Sequence, residues 1–270
     1  MAQRQYPDPS GHVYFFATCL IDLFVPEAGM DAIRLLEREG LIVHYPEQQS
    51  CCGQPAYSSG NPEQARTVAR AQLDLFPEPW PVIVPSGSCA GMMRHHWPAL
   101  FGDDAIAERK ARALSERIFE FTEYLLHVLK LDFSAPPAQK KVVAELAPER
   151  FVLHTSCGAR REMGTRDHGV ALLDTVRSAQ RVEHERESEC CGFGGTFSLK
   201  HPDISGAMVK DKVASICATG CQRVVSADCG CLLNIGHAAD YQKAGLKVEH
   251  ISTFLLRHGR QTPGGQGDAS

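Results

Sequence analysis

Glu189-Cys190-Cys191-Gly192-Phe193-Gly194-Gly195 decides how this chain is read, because its core occurs twice. Cys51-Cys52-Gly53 carries the same triplet 139 positions earlier. Eleven cysteines placed at random over 270 residues would give roughly 0.4 adjacent pairs, so two pairs that both run into glycine form a pattern. The pattern extends to either side. Cys19 lies 32 residues before the first pair, and Cys157 lies 33 before the second. Cys89 follows the first pair; Cys231, or Cys229 as the nearer choice, follows the second. A period of about half the chain marks an internal duplication, which has to be recognised before a fold is assigned.

Each repeated cysteine follows a short apolar run. Residues 12–18 and 151–156, before Cys19 and Cys157, read as buried strands ending in small polar residues. Residues 41–45 and 181–184 precede the pairs, and residues 81–85 and 223–226 precede the last cysteines. Helical patterns fall between them, at 33–36 and 170–173 and again at 62–76 and 202–218. The last two open on Pro62 and Pro202, and proline suits a first helical turn. The unit strand–Cys–helix–strand–Cys-Cys-Gly–helix–strand–Cys predicts an α/β fold. It has two tandem repeated domains, each a small, mostly parallel sheet with crossover helices in Rossmann-like layering. The first domain is expected at 1–134, the second at 135–257 and a mobile tail at 258–270, with the linker at the Pro-Pro segment of 132–141. Parallel sheets place sites at the carboxyl ends of their strands, so the three cysteine positions of each repeat should converge on one edge.

Composition excludes several classes. With 43% hydrophobic and 22% charged residues the chain is of ordinary globular type. A net charge of −4 and a pI near 6.3 offer no basic excess for nucleic acid. No apolar run is long enough for a membrane span. The N-terminal MAQRQYPDPSGH lacks the apolar core of a secretory signal, so a cytoplasmic protein is expected. Structural disulfides are rare there, and an odd number of cysteines cannot all pair. Motifs of other chemistries are missing too. The sequence has no His-Glu-x-x-His, no Gly-x-Gly-x-x-Gly opening a nucleotide fold and no Gly-x-Ser-x-Gly elbow.

The spacing itself points to a chemistry. Structural zinc takes ligands from short Cys-x-x-Cys knuckles, whereas here single and vicinal thiols are separated by whole strand–helix units. An iron–sulfur cluster is larger than one ion, is held by thiolates, and can take two adjacent side chains on different irons. Gly53 and Gly192, after the pairs, leave room for backbone N–H groups near the sulfurs. Four thiols per half suffice for a cluster: Cys19, Cys51, Cys52 and Cys89, then Cys157, Cys190, Cys191 and Cys231, with Cys229 as a possible extra ligand. Cys217 and Cys221 have no counterpart in the first half and read as packing residues. His154, Arg161 and Glu162 are candidates for groups surrounding the second site. A zinc-binding interaction protein is the contrasting reading.

The arrangement resembles the cysteine-rich CCG domain found in heterodisulfide reductase B, in the glycolate oxidase iron–sulfur subunit and in the lactate-utilisation protein A family. The last of these is most similar: HTSCGARREMG, ECCGFGGTFSLKHPDIS with Met208 and Lys212, VIVPSGSCAGMM and DCGCLLNIGH all match its segments, over residues 10–257. Where heterodisulfide reductase B has Cys-x-x-Cys in its last segment, this chain has Met92 and Asn234 at the second position. The resemblance implies [4Fe–4S] clusters, up to one per domain. It also implies an electron-transfer subunit that works with a ferredoxin-type iron–sulfur protein and a third subunit to oxidise lactate to pyruvate. A heterodisulfide-reductase-like thiol–disulfide oxidoreductase is the alternative. The chain has no Cys-x₂-Cys-x₂-Cys-x₃-Cys ferredoxin run of its own.

Overall fold

The computed structural model describes residues 4–134 and 147–259. They form two four-stranded sheets, all pairings parallel. In the first half the strands are β1 (His12–Phe15), β2 (Ile42–His44), β3 (Val82–Val84) and β4 (Ile118–Glu120), in the order β2-β1-β3-β4. In the second half they are β5 (Glu149–Leu153), β6 (Ala179–Arg181), β7 (Arg223–Ser226) and β8 (Lys247–His250), in the order β6-β5-β7-β8. The expected α/β class and the duplication are therefore what the chain forms. Two expectations shift. Each half has a fourth strand that the cysteine spacing does not announce, because β4 and β8 carry no cysteine. The strand expected at 181–184 ends at Arg181, leaving His184 in the loop that follows.

Central strands are apolar on both faces, as buried parallel strands must be. Val13 and Phe15 point to one side of the first sheet, Tyr14 and Phe16 to the other. The first side is shared between the halves. Val13, Phe15 and Ile83 lie in one core with Phe151, Leu153 and Val225. That core is completed by a reciprocal exchange. Helix Ile251–His258, which follows β8, packs on helix Pro26–Arg38 of the first half. The helical segment after β4 packs in the same way on helix Arg166–Asp174 of the second. Ser252 Oγ donates to Ala28 O at 2.7 Å and Thr253 Oγ1 to Asp31 Oδ2 at 2.7 Å, fastening the first of these contacts. The last helix runs to His258, one residue past the expected boundary, and His258 is buried. The rest of the expected linker, 135–141, and of the expected tail, 260–270, lies outside the described residues.

The ends of β4 and β8 occupy matching places but carry opposite chemistry. His250 Nδ1 accepts from Ser252 N at 3.2 Å, so its Nε2–H donates to Pro85 O and Ala227 O, at 3.1 and 3.0 Å. It thereby ties the loop after β3 to the loop after β7. Glu120, at the end of β4, is fully buried. Its Oε2 accepts from Thr122 N at 2.9 Å and Glu123 N at 3.2 Å and caps the following turn.

Candidate metal centre

In a parallel sheet of order 2-1-3-4 the chain leaves the two central strands in opposite directions, and a crevice opens beyond their carboxyl ends. Cys19 follows β1 and begins helix Cys19–Phe24. Cys89 follows β3 in the turn of helix Gly87–Gly91, whose Ser86 cap accepts from Cys89 N at 3.3 Å. Cys51 and Cys52 lie on the loop after β2. The second half repeats this with Cys157 after β5, Cys190 and Cys191 after β6, and Cys231 in helix Cys229–Tyr241 after β7. Nine of the eleven cysteines, the four of each set and Cys229, line a single cavity of about 290 Å³ between the halves.

Within each set the thiols interact. Cys19 Sγ donates to Cys51 Sγ at 3.7 Å, and Gly53 N donates to the same sulfur at 3.4 Å. Gly192 N likewise donates to Cys190 Sγ at 3.3 Å. Hydrogen bonds from Cys19 and Cys52, helped by Gly53 N–H, hold Cys51 down at about 3. Those from Cys157 and Cys191, helped by Gly192, hold Cys190 at about 2. Their donors Cys19 and Cys157 are pushed up by the same bonds, and Cys52 and Cys191 are raised alike. Each half therefore concentrates negative charge on the first cysteine of its pair, the state in which sulfur binds metal.

The glycines do more than leave space. Gly53 and Gly192 have φ of +86° and +84°, a region costly for residues with a Cβ. A Cβ at Gly53 would lie 3.0 Å from Ala65 O, and one at Gly192 only 2.7 Å from Ser205 O. Gly192→Ala should therefore destabilise the protein by about 2–4 kcal/mol, from left-handed strain and a clash with backbone. Anaerobic thermal unfolding measures this, and an unchanged midpoint would contradict it. Thr18 is also bent to serve the site. It is buried, β-branched and at φ 68°, a conformation costing about 1–3 kcal/mol that persists only when its surroundings impose it. It turns the chain out of β1 immediately before Cys19.

The two halves close on each other at this end of the sheets. Asp228 Oδ1 accepts from Ser86 Oγ at 2.9 Å, Ser88 N at 3.0 Å and Ser88 Oγ at 2.8 Å. Gly87 meets Ala159, and Gly158 meets Ser88, so closely that a Cβ on either would lie 2.6 or 2.8 Å from the other half. In the repeat, Cys229 stands where the first half has Gly87. It is buried against Leu20, Ile21 and Ala28, its thiol 3.7 Å from Leu20 O, and burial pushes it up to about 12. Asp228, Ser86 and Ser88 went unnoticed in the sequence, because hydroxyl and carboxylate residues at strand ends are common and only the packing of the halves brings them together.

His154 is fully buried at the cavity wall. One of its ring nitrogens, Cys191 Sγ and Cys231 Sγ offer ligand atoms within 4.8 Å of one another. Neither nitrogen has a hydrogen-bond partner among the described residues. Burial, reinforced by Lys212, lowers it to about 3, which keeps the ring neutral. Arg161 and Glu162 do not line the cavity. Both are exposed, with Glu162 3.4 Å from His96 and close against Gly91, while the charge of Arg161 is felt by Cys157. Asn234, which replaces a second cysteine of the last segment, donates from Nδ2 to Cys191 O at 2.8 Å. Met92 is buried in the apolar core. Cys221 packs in the core as expected, whereas Cys217 is exposed at the end of helix Pro202–Cys217. The packing expectation for Cys217 is thus corrected: the helix ends on its solvent side.

A duplicated sheet that delivers two sets of four thiols to one crevice defines a class of tandem cysteine-rich proteins. The cysteine-rich domain family, CCG, matches the chain twice, at residues 13–94 and 151–236, and the chain belongs to that family. It is similar along nearly its whole length to proteins called Lactate utilization protein A. It is 40% identical to that of Geobacillus sp. and 39% to that of Bacillus subtilis, each over 243 residues, and 38% to that of Shouchella clausii over 244. Each alignment covers 90% of this chain and 98% of the relative. Among the described residues no helix is long and apolar enough to cross a membrane.

Proposed function

We propose that this chain is the iron–sulfur electron-transfer subunit of a cytosolic system that oxidises L-lactate, or a related 2-hydroxy acid, to pyruvate. The observation that carries the reading is the convergence of two four-thiol sets on one cavity, each with a thiolate already favoured and a glycine N–H aimed at it. Cys19, Cys51, Cys52 and Cys89 would hold one cluster and Cys157, Cys190, Cys191 and Cys231 the other, each of [4Fe–4S] type, with Cys229 at the seam between them. The donor set fits: the charge of a thiolate-held cluster is met by backbone N–H groups and by burial, both of which tune potential. Bound clusters supply one-electron storage. The names of the relatives support lactate as the substrate of the system. Its oxidation releases two electrons and two protons, and the family resemblance implies a ferredoxin-type iron–sulfur protein and a third subunit as the partners that would carry electrons to and from this chain. What the protein contributes is one crevice lined by both thiol sets.

A second reading has one observation in its favour. His154, Cys191 and Cys231 form a set of three that could take zinc with a fourth ligand. Anaerobic purification followed by iron, acid-labile sulfide and zinc analysis separates the two. Iron and sulfide in near-equal amounts, with a broad visible absorption that bleaches on reduction, are expected. Zinc without iron or sulfide would overturn the iron–sulfur reading. Lactate-dependent bleaching by this chain alone would overturn the relay role in favour of direct catalysis.

A further inference from the structure

The duplication invites a comparison of what surrounds each thiol set, and the two surroundings differ in charge. In the repeat, His154 corresponds to Phe16: each lies three residues before the single cysteine, and their backbone N–H groups donate to Val225 O and Ile83 O, the matching carbonyls of β7 and β3. Both side chains are fully buried. Lys212 corresponds to Gln72, each ten residues after the proline that opens its helix, and both are about 1% exposed. Gln72 is neutral and spends its amide on Ser50, accepting from Ser50 N at 3.0 Å and donating to Ser50 Oγ at 2.9 Å. Lys212 donates to Arg186 O; burial lowers its pKa, and Cys191, Glu189, Cys190 and Cys231 lie within its electrostatic reach and favour its charged form. The second set thus has an unpartnered imidazole and a buried ammonium beside it, where the first has a phenyl ring and an amide. Asp228, the carboxyl group of the cavity wall, sits on the seam and is held by Ser86 and Ser88 of the first half, so it does not favour the second set.

We propose that the two sites are a polarised pair, with the second-half cluster as the electron-accepting end: His154 and Lys212 stabilise its reduced, more negative state, and the first-half cluster, lacking both, is the donor. This rests on the iron–sulfur reading above. The step is a single electron transfer. The first cluster is oxidised by one electron, the second is reduced by one, no bond is made or broken, and no further reactant is needed. The physical cause is that adding an electron to an anionic cluster is favoured by nearby positive charge and N–H donors and disfavoured by an apolar wall, more so where water is excluded. Polarity of this kind gives electrons that enter at Cys19, Cys51, Cys52 and Cys89 a preferred direction through the shared cavity.

The full-length chain, reconstituted anaerobically with iron and sulfide, tests this by redox titration followed by electron paramagnetic resonance. Cys191→Ser and Cys52→Ser, each leaving one cluster, assign the two midpoints. The second-half midpoint should be the higher. His154→Phe and Lys212→Gln, which install the first-half residues, should each shift the one-electron partition at the second cluster at least tenfold toward the oxidised form, about 59 mV. Neither should move the first. His154→Gln, which keeps an N–H donor, should restore most of the shift, and Phe16→His should raise the first-half midpoint. Equal midpoints in the wild type, or a second-half midpoint unmoved by both substitutions, would overturn the polarity while leaving the clusters in place. Loss of the second cluster from His154→Phe would also overturn it, by making His154 an obligatory ligand. Absence of iron and sulfide from the wild type would instead remove the reading on which it rests.

Discussion

Cys191→Ser should halve the iron bound per chain, Cys52→Ser should do the same, and the double variant should bind almost none. Both thiols are about 2% exposed and sit between the other sulfurs of their sets. A serine hydroxyl at that depth stays protonated and is a far poorer iron ligand than a thiolate. The backbone around Cys191 is held independently by Asn234 and that around Cys52 by Trp97, whose Nε1 donates to Cys52 O at 2.8 Å. The fold should therefore survive each exchange. Iron and sulfide per chain, measured anaerobically, give the result. Cys217→Ser serves as the control, since its thiol is exposed and lies off the cavity. Full iron after both exchanges would contradict the ligand assignment, and lost iron in the control would mean that the site extends to the end of helix Pro202–Cys217.

Glu120→Gln should stabilise the protein markedly in mild alkali. Glu120 is fully buried, and desolvation pushes it from its ordinary 4.5 up to about 8, outweighing the hydrogen bonds from Thr122 and Glu123 that favour the carboxylate. In the unfolded chain the same group ionises near 4.5. Across the window from its unfolded value to about 8, unfolding therefore releases a proton that the fold retains, and stability falls as pH rises. At pH 8 and above the accumulated loss is on the order of several kcal/mol. Glutamine keeps the acceptor that caps the turn but has no proton to lose. The unfolding midpoint of Glu120→Gln should thus draw ahead of the wild type steadily from about pH 5 to about pH 8 and stay ahead above it. Parallel curves over that range would show that Glu120 ionises as readily in the fold as outside it.

The sequence made the skeleton of the site readable because cysteine is rare and its repeat distances are unequal to any single secondary-structure period. The α/β class followed from apolar runs ending at those cysteines. What stayed hidden was everything that depends on the second half meeting the first. β4 and β8 are three- and four-residue strands without a chemical marker. Asp228 and His250 acquire their roles only from Ser86, Ser88 and Pro85 of the other half. The merging of two expected sites into one cavity has the same origin, since strand-end logic places cysteines on an edge of one sheet and says nothing of which way two such edges face. Arg161 and Glu162 adjoin Cys157 along the chain, but a π-helical turn, Ala159–Met163, carries both to the surface.

The exchange of terminal helices between the halves also governs the order in which the molecule can be made. Helix Pro26–Arg38 leaves the ribosome early, yet its covering partner is Ile251–His258, and the bond from Ser252 to Ala28 joins residues 224 positions apart. Ala32, Leu35 and Leu36 can pack early on Val13, Phe15 and Leu41 of their own half, but the core they share with Phe254 and Leu255 is incomplete until the last helix is made. Native closure of the two halves is therefore a late event of high contact order, the kind that is slow and passes through aggregation-prone species. A chain stopped short of residue 251 would carry every cysteine of both sets and still lack the element that seals them together.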